Sequence, residues 1–184
     1  MRREIVRFRK KMYDKGLIGE LGGNLSVREG EIIYITPSSV PVSRFSEDEV
    51  AEVKITGEIL RGSPSIEYRM HLEIYRRTDF RAVVHTHSIY ATAISCLERV
   101  LYPRDIEGEV YLGDEIPVLP YREPGSQELA ETVAREIEKK RCRAVLLEDH
   151  GAVTVGNSLE EAYISAEILE RVAKVAYLCA LYES

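Results

Sequence analysis

The chain has 184 residues, 45% of them hydrophobic and 30% charged, with a formal net charge of −6. Length and balance fit a single globular domain over residues 1–184 with a proper buried core. The acidic balance excludes nucleic acid as the main partner, since phosphate backbones demand a basic footprint, and no apolar run approaches the ~20 residues that span a bilayer.

The basic N-terminus "MRREIVRFRKKMYDKGL" lacks a continuous apolar core and a small-residue cleavage site. It is therefore not read as a secretory signal, and a cytoplasmic location is expected. Ile5, Phe8, Met12 and the stem of Arg9 give it the inner face of an amphipathic helix. The turn "GELGGNLSVREG" follows, then strand candidates at 25–28, 31–36, 51–55 and 58–60. "REGE" and "ITGE" read as hairpin turns, because glycine tolerates the positive φ that such turns require. The Ser46/Glu49 spacing is that of a capping box and predicts a short helix from Ser46.

"SIEYRMHLEIYRR" has helical spacing and precedes the strand "AVVHT" and a second helix, Ile89–Leu97. "EVYLG" and "IPVLPY" read as strands ahead of a helix capped by Ser126, on which Leu129, Val133 and Ile137 recur every four residues. "CRAVLLEDHGAVTVG" predicts a buried strand, a polar corner at 148–151 and a further short strand. The last helix opens on the box Ser158/Glu161 and runs from Leu159 to Ala180. Its length and its alanines predict close packing against the body or a neighbouring subunit. Hairpin-grouped strands with interspersed helices give an α/β chain, with a mixed or largely antiparallel sheet covered by helices. Cys96, Cys142 and Cys179 lie in apolar segments and read as buried structural thiols.

Two of the four histidines stand one residue apart in "RAVVHTHSIY". On a strand, His85 and His87 would face the same way with Cα atoms about 6.5–7 Å apart, close enough to share one metal ion. His150, in "LLEDHGAV", also ends an apolar strand candidate. Three neutral imidazoles with an open fourth position is the catalytic zinc pattern; hydrogen bonding within a core is the alternative. Glu67 opens a helix, either as a first-turn acid favoured by the dipole or as a carboxylate aimed at the metal, as ligand or general base. His71, one turn on, reads as a partner for Glu67 or as a surface histidine. "GGNLS", "TPSS" and "SPS" offer Asn24, Ser26, Ser38, Ser39 and Ser65 with free backbone N–H groups. Singly they are turns; beside a metal site they suggest a cradle for a phosphorylated substrate.

The series "GGNLSVR", "ITPSS", "SPSIEYRMH", "VVHTHS", "PYREPGSQELA" and "LLEDHGAVTVG" covers nearly the whole chain. In this order it resembles the class II aldolase/adducin family, within it the L-fuculose-1-phosphate aldolase-like proteins. The resemblance implies a three-layer α/β/α sandwich around a central, mainly antiparallel sheet, assembled as a homotetramer with active sites at subunit boundaries. It implies His85, His87 and His150 as Zn²⁺ ligands, with Mn²⁺ or Co²⁺ compatible with the same donors. Glu67 would be the catalytic acid/base and a metal ligand when substrate is absent; Asn24, Ser38, Ser39 and Ser65 would bind the phosphate. The implied reaction cleaves a ketose 1-phosphate, L-fuculose 1-phosphate in the first place, to dihydroxyacetone phosphate and an aldehyde (L-lactaldehyde), with zinc holding the enediolate charge. The alternatives are a ribulose-phosphate 4-epimerase or methylthioribulose-1-phosphate dehydratase on the same scaffold, and a non-catalytic adducin-like interaction module. Two features depart from the pattern. Ile66 stands where such aldolases often carry a second serine, and their tyrosine proton donor has no secure counterpart between Tyr102 and Tyr111.

Overall fold

The computed structural model describes residues 1–183. Helix α1 (Arg2–Asp14) buries Ile5, Phe8, Arg9 and Met12, the face expected from its spacing. Strands β1 (Asn24–Glu29) and β2 (Ile32–Ile35) form a hairpin that turns at Gly30, whose φ of 60° a side chain would disfavour. Next come β3 (Ala51–Lys54), β4 (Ile59–Arg61), α2 (Tyr68–Arg77), β5 (Ala82–Thr86) and α3 (Ile89–Leu97). The chain continues through β6 (Val100–Leu101), α4 (Ile106–Leu112), β7 (Ile116–Leu119), α5 (Gln127–Lys140), β8 (Ala144–Leu147), β9 (Gly151–Gly156) and α6 (Leu159–Glu183). Among the described residues no helix is long and apolar enough to cross a membrane.

The strands make one nine-stranded sheet in the order β4-β3-β2-β1-β5-β9-β8-β7-β6. Every pairing is antiparallel except β7 with β8. Helices cover both faces, giving the expected three layers. On one face α2 and α5 pack Met70, Leu72, Ile74, Leu129, Val133 and Ile137 against Ile33, Val53, Val83, Val145 and Val153. On the other, α1 and α6 pack Phe8, Met12, Ala162 and Ala166 against Leu25, Val27, Ala82 and Val84. Further along α6, Ile168, Leu169 and Val172 join residues of α3, α4, β7 and β8.

Strand alternation then fixes where polar side chains go. Val83 of β5 and Val153 of β9 face the α2/α5 layer, so His85 faces it too. In β1, Leu25 and Val27 face α1, which sends Asn24 and Ser26 to the α2 side. A polar island of Asn24, Ser26 and His85 thus interrupts an otherwise apolar face.

Two expectations are corrected. "EVYLG" is the end of α4, a helix whose N-cap Asp105 accepts from the Gly108 N–H and which stops at Gly113, φ 90°. Its valine and tyrosine suggested a strand, but the cap–glycine frame and the packing of Leu112 against α6 decide for helix. The cysteines are not uniformly buried: Cys96 is exposed, and Cys142 and Cys179 are half-buried. The Ser46/Glu49 box is present, though it closes only a 3₁₀ turn, Glu47–Glu49. Ser126 caps α5 as expected.

The start of α3 is held from outside: both carboxylate oxygens of Glu170, on α6, accept from the backbone N–H groups of Tyr90 and Ala91, at 3.0 and 2.9 Å. Ser88, the N-cap, makes no side-chain cap bond, so Glu170 does its work. Replacing Glu170 with alanine is expected to cost about 1–2 kcal/mol of unfolding free energy. Urea denaturation of the two proteins reads this directly.

Candidate metal centre

Three chain segments bring four donor residues to a common point. Glu67 is the N-cap residue of α2, yet its carboxylate makes no capping bond and turns inward instead. The Ser65 hydroxyl accepts from the Glu67 N–H at 3.4 Å, and a Tyr68 N–H to Ser65 C=O bond closes the turn. His85 is the fourth residue of β5, and His87 follows that strand's end. His150 lies in the three-residue connection from β8 to β9, where Asp149 takes the left-handed conformation at φ 57° that aspartate tolerates.

The ligand-capable atoms of Glu67, His85, His87 and His150 all lie within 4.8 Å of one another. His85 Nε2 is 3.1 Å from Glu67 Oε2 and 2.8 Å from His87 Nε2; His150 Nε2 is 3.5 Å from Glu67 Oε1. Glu67 and His85 are buried, His150 is half-buried and His87 is exposed, so the cluster opens to solvent on one side. His85 Nδ1–H donates to the Ala152 carbonyl at 2.9 Å, which turns the Nε2 lone pair into the cluster.

Close backbone approach makes this possible. A Cβ on Gly151 would stand 2.2 Å from the Thr86 carbonyl oxygen, and one on Gly23 would stand 2.7 Å from that of His85. The glycines of "GGNLS" and "EDHG" therefore let neighbouring chain segments close on the histidine strand.

Electrostatics match a cation site. Burial works against the Glu67 carboxylate, but the His85 and His150 imidazoles beside it hold its pKa well below the usual carboxylate range. Burial likewise opposes charge on His85, and the facing Glu67 carboxylate nevertheless raises its pKa. Burial and the neighbouring imidazoles lower His150 and push His87 down to about 4, leaving both neutral and ready to donate a lone pair. Glu67 Oε1 is buried with no hydrogen-bond partner. Three imidazole nitrogens and a carboxylate with one orphaned buried oxygen, gathered around one point, fit a divalent cation.

Two of the serine segments lie against each other. The loops at 36–38 and 63–65 run side by side, through a Pro37–Pro64 bridge, the Ser38 N–H to Ser63 C=O bond and the Ser65 N–H to Thr36 C=O bond. Ser65 is buried and Ser38 half-buried, while Ser39 is exposed at φ 60° with its hydroxyl 3.5 Å from that of Ser38. A Cβ on Gly22 would meet His87 Nδ1 at 3.2 Å, which puts the Gly22–Asn24 loop against the cluster. Asn24 is buried and gives its side-chain amide to Glu67 and His71, so it orients the carboxylate, a role the sequence reading did not assign. His71 is buried against Asn24 and Ser26, and does not touch the surface.

The chain belongs to the class II aldolase/adducin family: the class II aldolase and adducin N-terminal domain matches over residues 3–177. Among its relatives, the L-fuculose phosphate aldolase of Methanococcus maripaludis is 38% identical over 95% of each chain. The 5-deoxy-D-ribulose 1-phosphate aldolase of Bacillus thuringiensis is 35% identical over 96% of this chain and 84% of its own. The crystal structure of L-fuculose-1-phosphate aldolase from Thermus thermophilus superposes with a TM-score of 0.90, at 35% identity, over 97% of this chain and 93% of that one.

Cation affinity should rise with pH through the neutral range. The raised pKa of His85 means that a proton must leave before Nε2 can bind, whereas His87 and His150 are already neutral. Calorimetric Zn²⁺ titration in buffers of different ionisation enthalpy should report about one proton released per ion near about pH 6. Release of none, or of two or more, would contradict this assignment of protons.

Proposed function

We propose that the protein is a divalent-metal-dependent aldolase that cleaves a ketose 1-phosphate, L-fuculose 1-phosphate first among them, to dihydroxyacetone phosphate and L-lactaldehyde. The observation that carries this reading is the Glu67–His85–His87–His150 cluster, with serine loops alongside and relatives named as aldolases of two ketose 1-phosphates. Zn²⁺ is the ion that the three-imidazole donor set fits best, Mn²⁺ and Co²⁺ being the alternatives. Bound there, it supplies Lewis-acid stabilisation of negative charge developing on substrate oxygens.

The chain's own groups do the rest. Backbone N–H groups of the Gly22–Asn24 loop and the hydroxyls of Ser38, Ser39 and Ser65 hold the phosphate and fix the reacting carbons over Glu67. Glu67 takes the C4 hydroxyl proton as the C3–C4 bond breaks, which releases the aldehyde and leaves the bond's electron pair on the dihydroxyacetone phosphate fragment. Glu67, protonated in that step, returns the proton to carbon, and in the synthetic direction removes it. Its Oε1, which makes no hydrogen bond, is the oxygen free to do so. The open side of the cluster at His87 suits a homotetramer in which a neighbouring subunit completes the site, in a single-domain cytoplasmic enzyme.

The test is dihydroxyacetone phosphate release from L-fuculose 1-phosphate by metal-analysed protein, before and after chelation. Chelator-sensitive release with about one Zn²⁺ per chain is expected. Glu67→Gln should keep much of the metal and lose about 10²–10⁴-fold in turnover. Normal turnover in that variant would remove Glu67 from its role, and bound zinc without release would move the substrate elsewhere.

A further inference from the structure

Behind Glu67 runs a buried chain of side chains that the proposed reaction does not itself use. The Tyr75 hydroxyl is 2.7 Å from Ser26 Oγ, which is 2.7 Å from His71 Nδ1. His71 Nε2 is 2.6 Å from Asn24 Oδ1, and Asn24 Nδ2 is 2.8 Å from Glu67 Oε2. His71 and Ser26 are 0% exposed, Tyr75 1%, Asn24 4% and Glu67 5%.

Counting donors gives the chain a direction. An ionised carboxylate only accepts, so Asn24 must offer it Nδ2–H and turn Oδ1 to His71. Oδ1 also only accepts, so the His71 proton is on Nε2. The neutral ring then accepts at Nδ1 from the Ser26 hydroxyl, whose oxygen accepts from Tyr75. Burial, with the nearby His85 charge, pushes His71 down to about 3, in keeping with a neutral ring. Each donor therefore points along the chain toward Glu67. With the single proton on Nδ1 instead, Asn24 would lose the partner that holds its carbonyl away from the carboxylate.

We infer that His71, backed by Ser26 and Tyr75, is a positioning residue that locks the Asn24 amide so that Glu67 is gripped at Oε2 and presents Oε1 to the metal and the reacting carbon. The hydrogen-bond pattern at Glu67 agrees: Oε2 has Asn24 and His85, and Oε1 has none. Such outer partners of a ligand act through its orientation, and their loss typically weakens metal affinity 10–100-fold.

The inference rests on reading Glu67 as the metal-facing acid/base, but its readout needs no aldolase turnover. Zn²⁺ affinity would be measured on the full-length protein by competition with a chelating dye, in His71→Leu, His71→Gln, Glu67→Gln and the His71→Leu/Glu67→Gln pair. His71→Leu should bind Zn²⁺ about 10–100-fold more weakly. His71→Gln, which can donate to Asn24 and accept from Ser26, should recover most of that loss. In the Glu67→Gln background, His71→Leu should cost nothing further, because its effect passes through the carboxylate. On L-fuculose 1-phosphate, kcat should fall in His71→Leu with KM for the ester held.

Equal losses in both backgrounds, or undiminished affinity in a folded His71→Leu protein, would overturn the inference and leave the aldolase reading standing. A wild-type chain that binds no Zn²⁺ would overturn both. Should His71→Leu fail to fold, Tyr75→Phe removes the first donor at almost constant volume. It should weaken Zn²⁺ binding in the same direction by a few-fold, and unchanged affinity would refute the chain.

Discussion

The pairing register of β1, β5 and β9 is the constraint on which the site depends. Asn24 stands opposite His85 in β1–β5, and His85 opposite Val153 in β5–β9. Side chains alternate along strands, so a slip of one residue would send Asn24, Ser26 and His85 to the α1/α6 face and put leucine and valine in their place. The register is secured from both sides by burial, with Val83 and Val153 in one core and Ala82 and Val84 in the other. Hydrophobic patterning thus places the polar residues as firmly as it places the apolar ones.

The site is electrostatically unusual for a protein interior. A carboxylate and three imidazoles meet at the end of an apolar strand, with Glu67 and His85 buried, and charge in such a place is costly unless it is met by opposite charge and hydrogen bonds. Glu67 is met by His85 and Asn24 on one oxygen, while the other has no bond. His71, by contrast, is neutral and spends both ring nitrogens on neighbours. Two buried titrating groups of one helix are therefore treated in opposite ways. Glu67 keeps its charge for use, and His71 gives up its charge so that the amide between them points one way.

Much of this was legible in the sequence because its signals are local. The spacing of Ile5, Phe8 and Met12, the boxes at Ser46 and Ser158, and the H-x-H ending an apolar strand each follow from a few adjacent residues. The segment 106–112 misled because valine, tyrosine and leucine favour strands, while what fixes it as helix is packing on α6, nearly sixty residues further on. The spacing of Glu67 and His71 on one helix face was visible, but their polar partners lie 43 to 47 residues away on β1. No local pattern announces such a pairing. Asn24 accordingly has a carboxylate partner that no spacing foretold, and His71 lies deep within the fold.

The place of β5 in the sheet has a consequence for how the protein comes into being. It is flanked by β1 and β9, strands that lie more than fifty residues before it and more than sixty after it in sequence. Contacts at such separations carry a large loop-closure cost and form slowly. The four donors can therefore meet only once the centre of the sheet has closed, so the unfolded chain offers an ion no comparable cage. Any ion that binds there selects the folded chain by mass action, worth about 4 kcal/mol at a thousand times its dissociation constant. Catalytic capacity and resistance to unfolding would then draw on the same pool of metal, and a shortage of it would lower both together.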